Sequence, residues 1–383
     1  MNSQRWMSQN FFIFFITWGI FLPYWTGWLV QAKGLSVTEA SLIMGFGLVA
    51  RGASTMFAFP LASKYWSNQI VILILTICSL VATVLYIPFS SFTTLFIVTM
   101  IFSAVYPALL PAMDSTAGTL VQQDGVNYGK SRSYGSLGFI ISVFINSLII
   151  GYWGEQAILW CMMAGLSLIL FMRFLSAPDA VLVKPVAVER NWLQSMRNLW
   201  EVKSFPIVLL VVVLIQGAHA SYYNYAYIYL QDIGVNNYYM GIIINIAVIF
   251  EIFYFVKADH LLTKWQPSSL LLVAAVGSTL RWVLIFSFQN VWVFMLSQSL
   301  HALSFGMAHY AFIRYITNNL PKQQISNAQG VYSAVALSLG TAVLTLMGGF
   351  LYEIVPALAF LGMIVCTLPA IALIIVTRKH YKY

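Results

Sequence analysis

Apolar residues run along this chain in blocks of about twenty, separated by short polar breaks, from its first residues to its last. A block of that length crosses the roughly 30 Å hydrocarbon core of a bilayer as an α-helix. Twelve such blocks stand near 10–30, 38–62, 70–88, 92–119, 131–151, 155–176, 206–230, 238–257, 269–288, 291–317, 325–350 and 355–377. A segment in lipid must pair its own backbone N–H and C=O groups, which a helix does within itself. The pattern therefore predicts an all-α integral membrane protein of twelve transmembrane helices. Only one polar break is long, about 177–204, and it divides the chain into predicted bundles at 1–176 and 205–383.

The charges give this pattern an orientation. With the N-terminus inside, alternating loops put Arg5, Lys64, Lys130, Arg173, Lys184, Arg190, Arg197, Lys203, Lys257, Lys264, Arg314, Lys322, Arg378, Lys379 and Lys382 on one side and only Lys33 on the other. Arg51, Arg132 and Arg281 stay inside spans. Such asymmetry predicts that both termini, and the 177–204 connection, are cytoplasmic.

Composition agrees: 60% of residues are hydrophobic and 8% charged, against about 25% charged in soluble domains. The net charge of +8 sits in short loops, as topology requires, so nucleic acid is not an expected partner. Cys78, Cys161 and Cys366 lie in apolar segments without disulfide or metal spacing and read as small core residues. The opening MNSQRWMSQN lacks the layout of a removable signal peptide. No phosphate-binding glycine loop, zinc spacing or nucleophile elbow is present, so no cofactor, metal or catalytic residue is expected.

The two halves echo each other. When Gly34 is set against Gly234, Arg51 meets Glu251 seventeen residues later, and SKYW and LTKW close the corresponding second spans. Six spans per half then read as a duplicated, pseudo-symmetric unit, a transporter plan that puts the substrate site near the bilayer midplane. Twelve spans suffice for a pathway in a monomer.

Charges inside the spans carry the chemistry, because idle charges in a membrane are costly. Asp114 and Arg132 stand nine residues before and after Gln123, in the polar turn between two spans, so both lie roughly 13 Å from it at 1.5 Å per residue. In the second half Arg281 and His301 flank an external turn at Val291, and Glu251 and Arg281 flank an internal one at Gln266. These three can share a depth. One reading makes the groups ion pairs that only lock helices together. The other makes Glu251, Arg281 and His301 a proton relay in which the arginine's approach or departure loads or releases a proton. Asp114 and Arg132 then hold a polar small molecule, and Arg132 favours a carboxylate. His219 lies among Tyr222, Tyr223, Tyr225, Tyr227 and Tyr229, which read either as an interface belt or as pathway residues. His309 reads as packed against a polar neighbour, and Arg51 as pathway or packing alike.

These residues resemble the lactose permease group of the major facilitator superfamily. In that group an acid on span four and an arginine eighteen residues later on span five bind the sugar, with a glycine three before the arginine; they match Asp114, Arg132 and Gly129. Its acid on span eight, arginine on span nine and histidine twenty residues later match Glu251, Arg281 and His301. Phe139 stands where the permease has a sugar-stacking tryptophan, Ser304 stands where it has a proton-carrying glutamate, and its Asp–Lys pairs are missing. Closer is the resemblance to bacterial 3-phenylpropionate transporters, carried by GIFLPYWTGWL, GLVARG, NYGKSRSYGSLGF, LIQGAHASYY and His301-x7-His309-x4-Arg314-Tyr315-Ile316. The resemblance implies two six-helix bundles in a bacterial inner membrane. It also implies proton-driven uptake of a small aromatic carboxylate, with Asp114, Arg132, Phe139 and His219 on the substrate and Glu251, Arg281 and His301 coupling the proton. An oligosaccharide or nucleoside, or export of a drug-like molecule, fits the same scaffold. A membrane-embedded enzyme fits poorly, because the two deep acids lie in opposite halves.

Overall fold

In a computed structural model, residues 2–183, 192–262, 264–381 and 383 are described. Lys184 and Arg190 of the predicted connection, and Lys382, lie outside them. All regular structure among the described residues is helical. Among the described residues, eleven helices have the length and apolarity to cross a membrane. In chain order they are α1 (Ser3–Gln31), α2 (Val37–Tyr65), α3 (Asn68–Leu85), α4 (Phe92–Asp124) and α5 (Tyr128–Trp153), then α7 (Phe205–Asp232), α8 (Asn237–Ala258), α9 (Pro267–Ser287), α10 (Val291–Asn319), α11 (Gln324–Ile354) and α12 (Leu358–Tyr381). Between α5 and α7 stands α6 (Ala157–Arg173), an apolar helix of 17 residues at the short end of the spanning range.

Most helices overrun the apolar blocks that predict them. α1 starts at Ser3 because Asn2 caps it, its side chain accepting from the N–H groups of Gln4 and Arg5. A capping box starts α2: Ser36 Oγ accepts from the Glu39 N–H at 3.1 Å, and Glu39 Oε2 accepts from the Ser36 N–H at 2.9 Å. Past the other ends of α1 and α7 a left-handed glycine turns the chain. Gly34 after α1 and Gly234 after α7 have φ of +74° and +84°, so the two glycines that open the internal echo do the same job at the same place. Lys33, in the turn after α1, donates to the carbonyls of Tyr86 at 2.6 Å and Phe89 at 2.7 Å, closing the end of α3. Burial pulls its amine below the ordinary lysine value.

The helices group into two compact units, α1–α6 together with 236–241, and α7 together with the chain from Ile242 onward through α12. In the first, α1 lies along α5, with α6 against its other flank. Small residues allow the close crossing: a Cβ on Gly138 would stand 2.3 Å from the Phe12 carbonyl oxygen, and one on Gly19 2.9 Å from Ser142 Cβ. Toward α4, α1 presents an aromatic stack in which Trp18 and Phe102 lie 5.9 and 4.9 Å from Tyr106, and Trp25 lies 5.5 Å from Phe102. The second unit packs α7, α9, α10 and α12 around Val208, Leu271, Ala274, Ala308 and Phe312. Of the α7 tyrosines, Tyr222, Tyr225, Tyr227 and Tyr229 are buried and Tyr223 is half-buried, so they pack inside the protein and do not form a belt on its surface. Tyr225 Oη donates to the Thr345 carbonyl at 2.5 Å and Tyr229 Oη to the Ile285 carbonyl at 3.2 Å, tying α7 to α11 and α9.

Candidate functional sites

Two polar clusters are held within the units, one in each. In the first, Gly125 ends α4 in the left-handed region (φ +67°) and Asn127 caps α5, its side chain accepting from the Lys130 N–H at 2.8 Å. This tight turn sends α4 and α5 back past each other. Asp114 and Arg132 do not pair directly. Tyr128 Oη donates to Asp114 Oδ1 at 3.0 Å, and both charges act on that hydroxyl. The Arg132 guanidinium lies over the Phe15 ring at 4.1 Å and near the Phe11 ring at 5.7 Å. Among the described residues no carboxylate comes within 4 Å of it. A cation on an aromatic face keeps its N–H edge available while its flat face is covered. Gly135 makes room for this packing, since a Cβ there would meet Phe15 Cδ2 at 2.7 Å and Arg132 Nη1 at 3.1 Å. Phe139 follows two turns along α5 and is buried.

In the second unit Glu251, Arg281 and His301 meet. Arg281 is wholly buried, with Nη1 at 2.9 Å from His301 Nδ1 and Nη2 donating to Gln298 Oε1 at 2.7 Å. The Tyr222 ring lies beneath the guanidinium at 4.3 Å. Glu251 Oε2 stands 3.5 Å from His301 Nε2. Donor and acceptor capacity then assigns the protons. Arginine only donates, so Nδ1 of His301 is its acceptor and the ring proton sits on Nε2, facing Glu251. While Arg281 holds Nδ1, that nitrogen takes no proton.

His219 is fully buried beside this trio, its ring 5.5 Å from that of His301. Its Nδ1 lies 3.0 Å from the Ile215 carbonyl, which only accepts, so Nδ1 carries the proton and Nε2 accepts from Ser304 Oγ at 2.9 Å. Ser304 belongs to a π-helical turn, Ala302–Gly306, that begins immediately after His301. Wide turns of this kind recur at functional sites because they re-aim side chains within a helix. Phe305 stacks between His301 and His309 at 5.2 and 6.4 Å. Below it, Tyr332 Oη accepts from Gln216 Nε2 at 2.9 Å and lies 3.1 Å from His309 Nδ1. Among the described residues no three His, Cys, Asp or Glu side chains converge as metal ligands would.

The family model described as the MFS_1 like family matches residues 4–361. The chain belongs to that family. It is therefore a multi-pass membrane transporter of the major facilitator type that handles small molecules, and not an enzyme. Over 381 residues, 97% of each chain, it is 29% identical to a probable 3-phenylpropionic acid transporter of Escherichia coli. Over 380 residues it is 26% identical to a maltose permease of Geobacillus stearothermophilus, covering 97% of this chain and 94% of that one. Among solved structures, a mutant of the nucleoside transporter NupG superposes with a TM-score of 0.81 at 15% identity, covering 100% of this chain and 99% of that one. The POT family transporter PepTSo follows at 0.72 and 10% identity, covering 99% and 98%. Both share its fold.

Sequence spacing misses three partners in this MFS_1 like transporter: Tyr128 on Asp114, Gln298 on Arg281 and Ser304 on His219. Two had a signal. Tyr128 precedes Arg132 by four residues and Gln298 precedes His301 by three, so each shares a helix face with the charge already singled out. The third depends on the π turn, which no residue pattern announces.

Proposed function

We propose that this transporter is a proton symporter that takes up a small aromatic carboxylate, such as 3-phenylpropionate, across a bacterial inner membrane by alternating access, as a monomer with both termini in the cytoplasm. The observation that carries the reading is Arg132, a cation laid on the Phe15 ring with no carboxylate within 4 Å among the described residues. A carboxylate that reaches its N–H edge gains charge-assisted hydrogen bonds, while an aromatic substrate meets the rings around it. Asp114 and Tyr128 supply a neighbouring acceptor and donor, and Phe139 completes the proposed substrate set in this unit. The likeness to a probable 3-phenylpropionic acid transporter supports the same class.

Proton coupling rests on the second cluster. Glu251 takes the proton while Arg281 occupies His301 Nδ1. A conformational step that withdraws Arg281 lets the ring proton pass to Nδ1, which leaves Nε2 as an acceptor facing the proton on Glu251. Coupling by this route needs Arg281 to move.

The test is a pulse of 3-phenylpropionate to weakly buffered, de-energised cells that overproduce the protein. Alkalinisation of the medium is expected, and its loss in Asp114→Asn and Arg132→Ala. A sugar is the second reading, favoured by the Asp114–Tyr128 hydrogen bond, which suits hydroxyl groups, and by the likeness to a maltose permease. Alkalinisation by maltose with silence to the aromatic acid would replace the first reading with the second.

A further inference from the structure

A cleft of about 850 Å³ opens on the first unit beside the α1–α5 crossing. None of the residues proposed above for substrate or proton lines it. Along α1 its wall changes character: Arg5 and Gln9 line one end with Lys130 of α5 alongside, and Phe12, Ile13 and Ile16 line the rest. The eleven steps from Arg5 to Ile16 rise about 16 Å, close to one leaflet of a roughly 30 Å hydrocarbon core. The apolar end is completed by Leu137 and Leu168, which are 48% and 42% exposed on a surface that a membrane protein turns to hydrocarbon.

At the polar end two cations stand without acids. Among the described residues no carboxylate lies within 4 Å of Arg5 or Lys130, and Asp124, at the same end, is engaged by the Ser3 hydroxyl. The mouth is held in shape by Gln4, whose Nε2 donates to Ser131 Oγ at 2.7 Å and whose Oε1 accepts from the Asn127 N–H at 2.8 Å. That clasp joins the start of α1 to the start of α5, and so holds Arg5 and Lys130 on one cleft.

We propose that this cleft binds one anionic phospholipid, with its phosphate between Arg5 and Lys130 and an acyl chain along Phe12, Ile13 and Ile16. A soluble anion would satisfy the cations and leave the apolar length unfilled. A zwitterionic lipid would fill that length, but its own ammonium would compete for the phosphate. Basic pockets between membrane helices on the cytoplasmic side select anionic headgroups for this reason. The assignment to the cytoplasmic leaflet rests on the topology proposed above, and nothing in it depends on the substrate.

Native mass spectrometry of the purified full-length protein tests the site, with dioleoyl phosphatidylglycerol, dioleoyl phosphatidylethanolamine and inorganic phosphate titrated separately. Two cations that each favour an anionic headgroup predict that phosphatidylglycerol is retained roughly 10- to 30-fold more strongly than phosphatidylethanolamine. Arg5→Gln with Lys130→Gln should abolish the difference, and Arg5→Lys with Lys130→Arg should keep it, separating charge from folding. Ile16→Trp, which fills the apolar length, should weaken retention of both lipids. Equal retention by the wild type, a preference that survives loss of both cations, or retention indifferent to Ile16→Trp would overturn the proposal. So would displacement of phosphatidylglycerol by equimolar inorganic phosphate, which would reduce the site to an anion pocket. Retention is read without transport, so its failure is separate from any failure of the symport reading.

Discussion

Arg132 and Arg281 are the same residue type put to different uses. Arg132 rests on phenylalanine faces without an acidic partner within 4 Å among the described residues, whereas Arg281 is buried and spends its N–H groups on His301 and Gln298. Substitution should separate them. Arg132→Lys keeps the charge but loses the planar fork and the ring stacking. Affinity for an aromatic carboxylate is expected to fall by about 10-fold or more, since hydrogen bonds to charged groups are worth about 1.5–3 kcal/mol. Equal affinity in a binding assay would rule out a two-point contact. Glu251→Gln leaves a group of the same shape that cannot load a proton. Uphill accumulation should be lost while exchange of labelled for unlabelled substrate continues; unimpaired accumulation would take Glu251 out of the coupling step.

At the level of the helix, the α1–α5 crossing gives two glycines opposite fates. Gly138 faces backbone: a Cβ 2.3 Å from the Phe12 carbonyl must push the helices apart. Overpacking of this kind costs about 1–3 kcal/mol, so Gly138→Ala should lower the melting temperature of the purified protein. Gly135 faces the Phe15 ring and the Arg132 guanidinium, which are side chains and can move. Gly135→Ala should disturb substrate affinity more than it disturbs melting. A larger melting shift at Gly135 than at Gly138 would mean that ring packing, not backbone approach, holds this crossing. The π turns at Ser54–Ala58, Ala302–Gly306 and Val335–Gly340 break three helices at a comparable scale. The middle one brings Ser304 to His219, so a span whose residue pattern reads as an ordinary helix carries a re-aimed side chain.

For the molecule as a whole, topology is the property most open to measurement. Fifteen cations on one predicted side against Lys33 on the other should hold both termini in the cytoplasm. A fluorescent protein that folds only in the cytoplasm should light up when fused after Tyr383, and a phosphatase active only outside should remain silent there. The reverse result would overturn the orientation and move the Arg5–Lys130 cleft to the other leaflet. Lys33 itself is tied to carbonyls at the end of α3, which gives the lone cation of the predicted external side a structural task.

The sequence by itself determined the helical membrane class, the spans and the residues worth suspecting. Lipid enforces helices of a set length, excludes idle charge and so makes both visible as runs and exceptions in one dimension. It also placed Glu251, Arg281 and His301 at comparable depth, because rise per residue converts separation from a turn into height. Rotation about each helix axis is set by packing against neighbours, and spacing does not encode it. Tertiary structure alone therefore decided that Asp114 meets Tyr128 rather than Arg132, that Arg132 lies on Phe15, and that His219 reaches Ser304. The cleft beside Arg5 and Lys130 is of the same kind, since its two cations are 125 residues apart on helices that meet only in the fold.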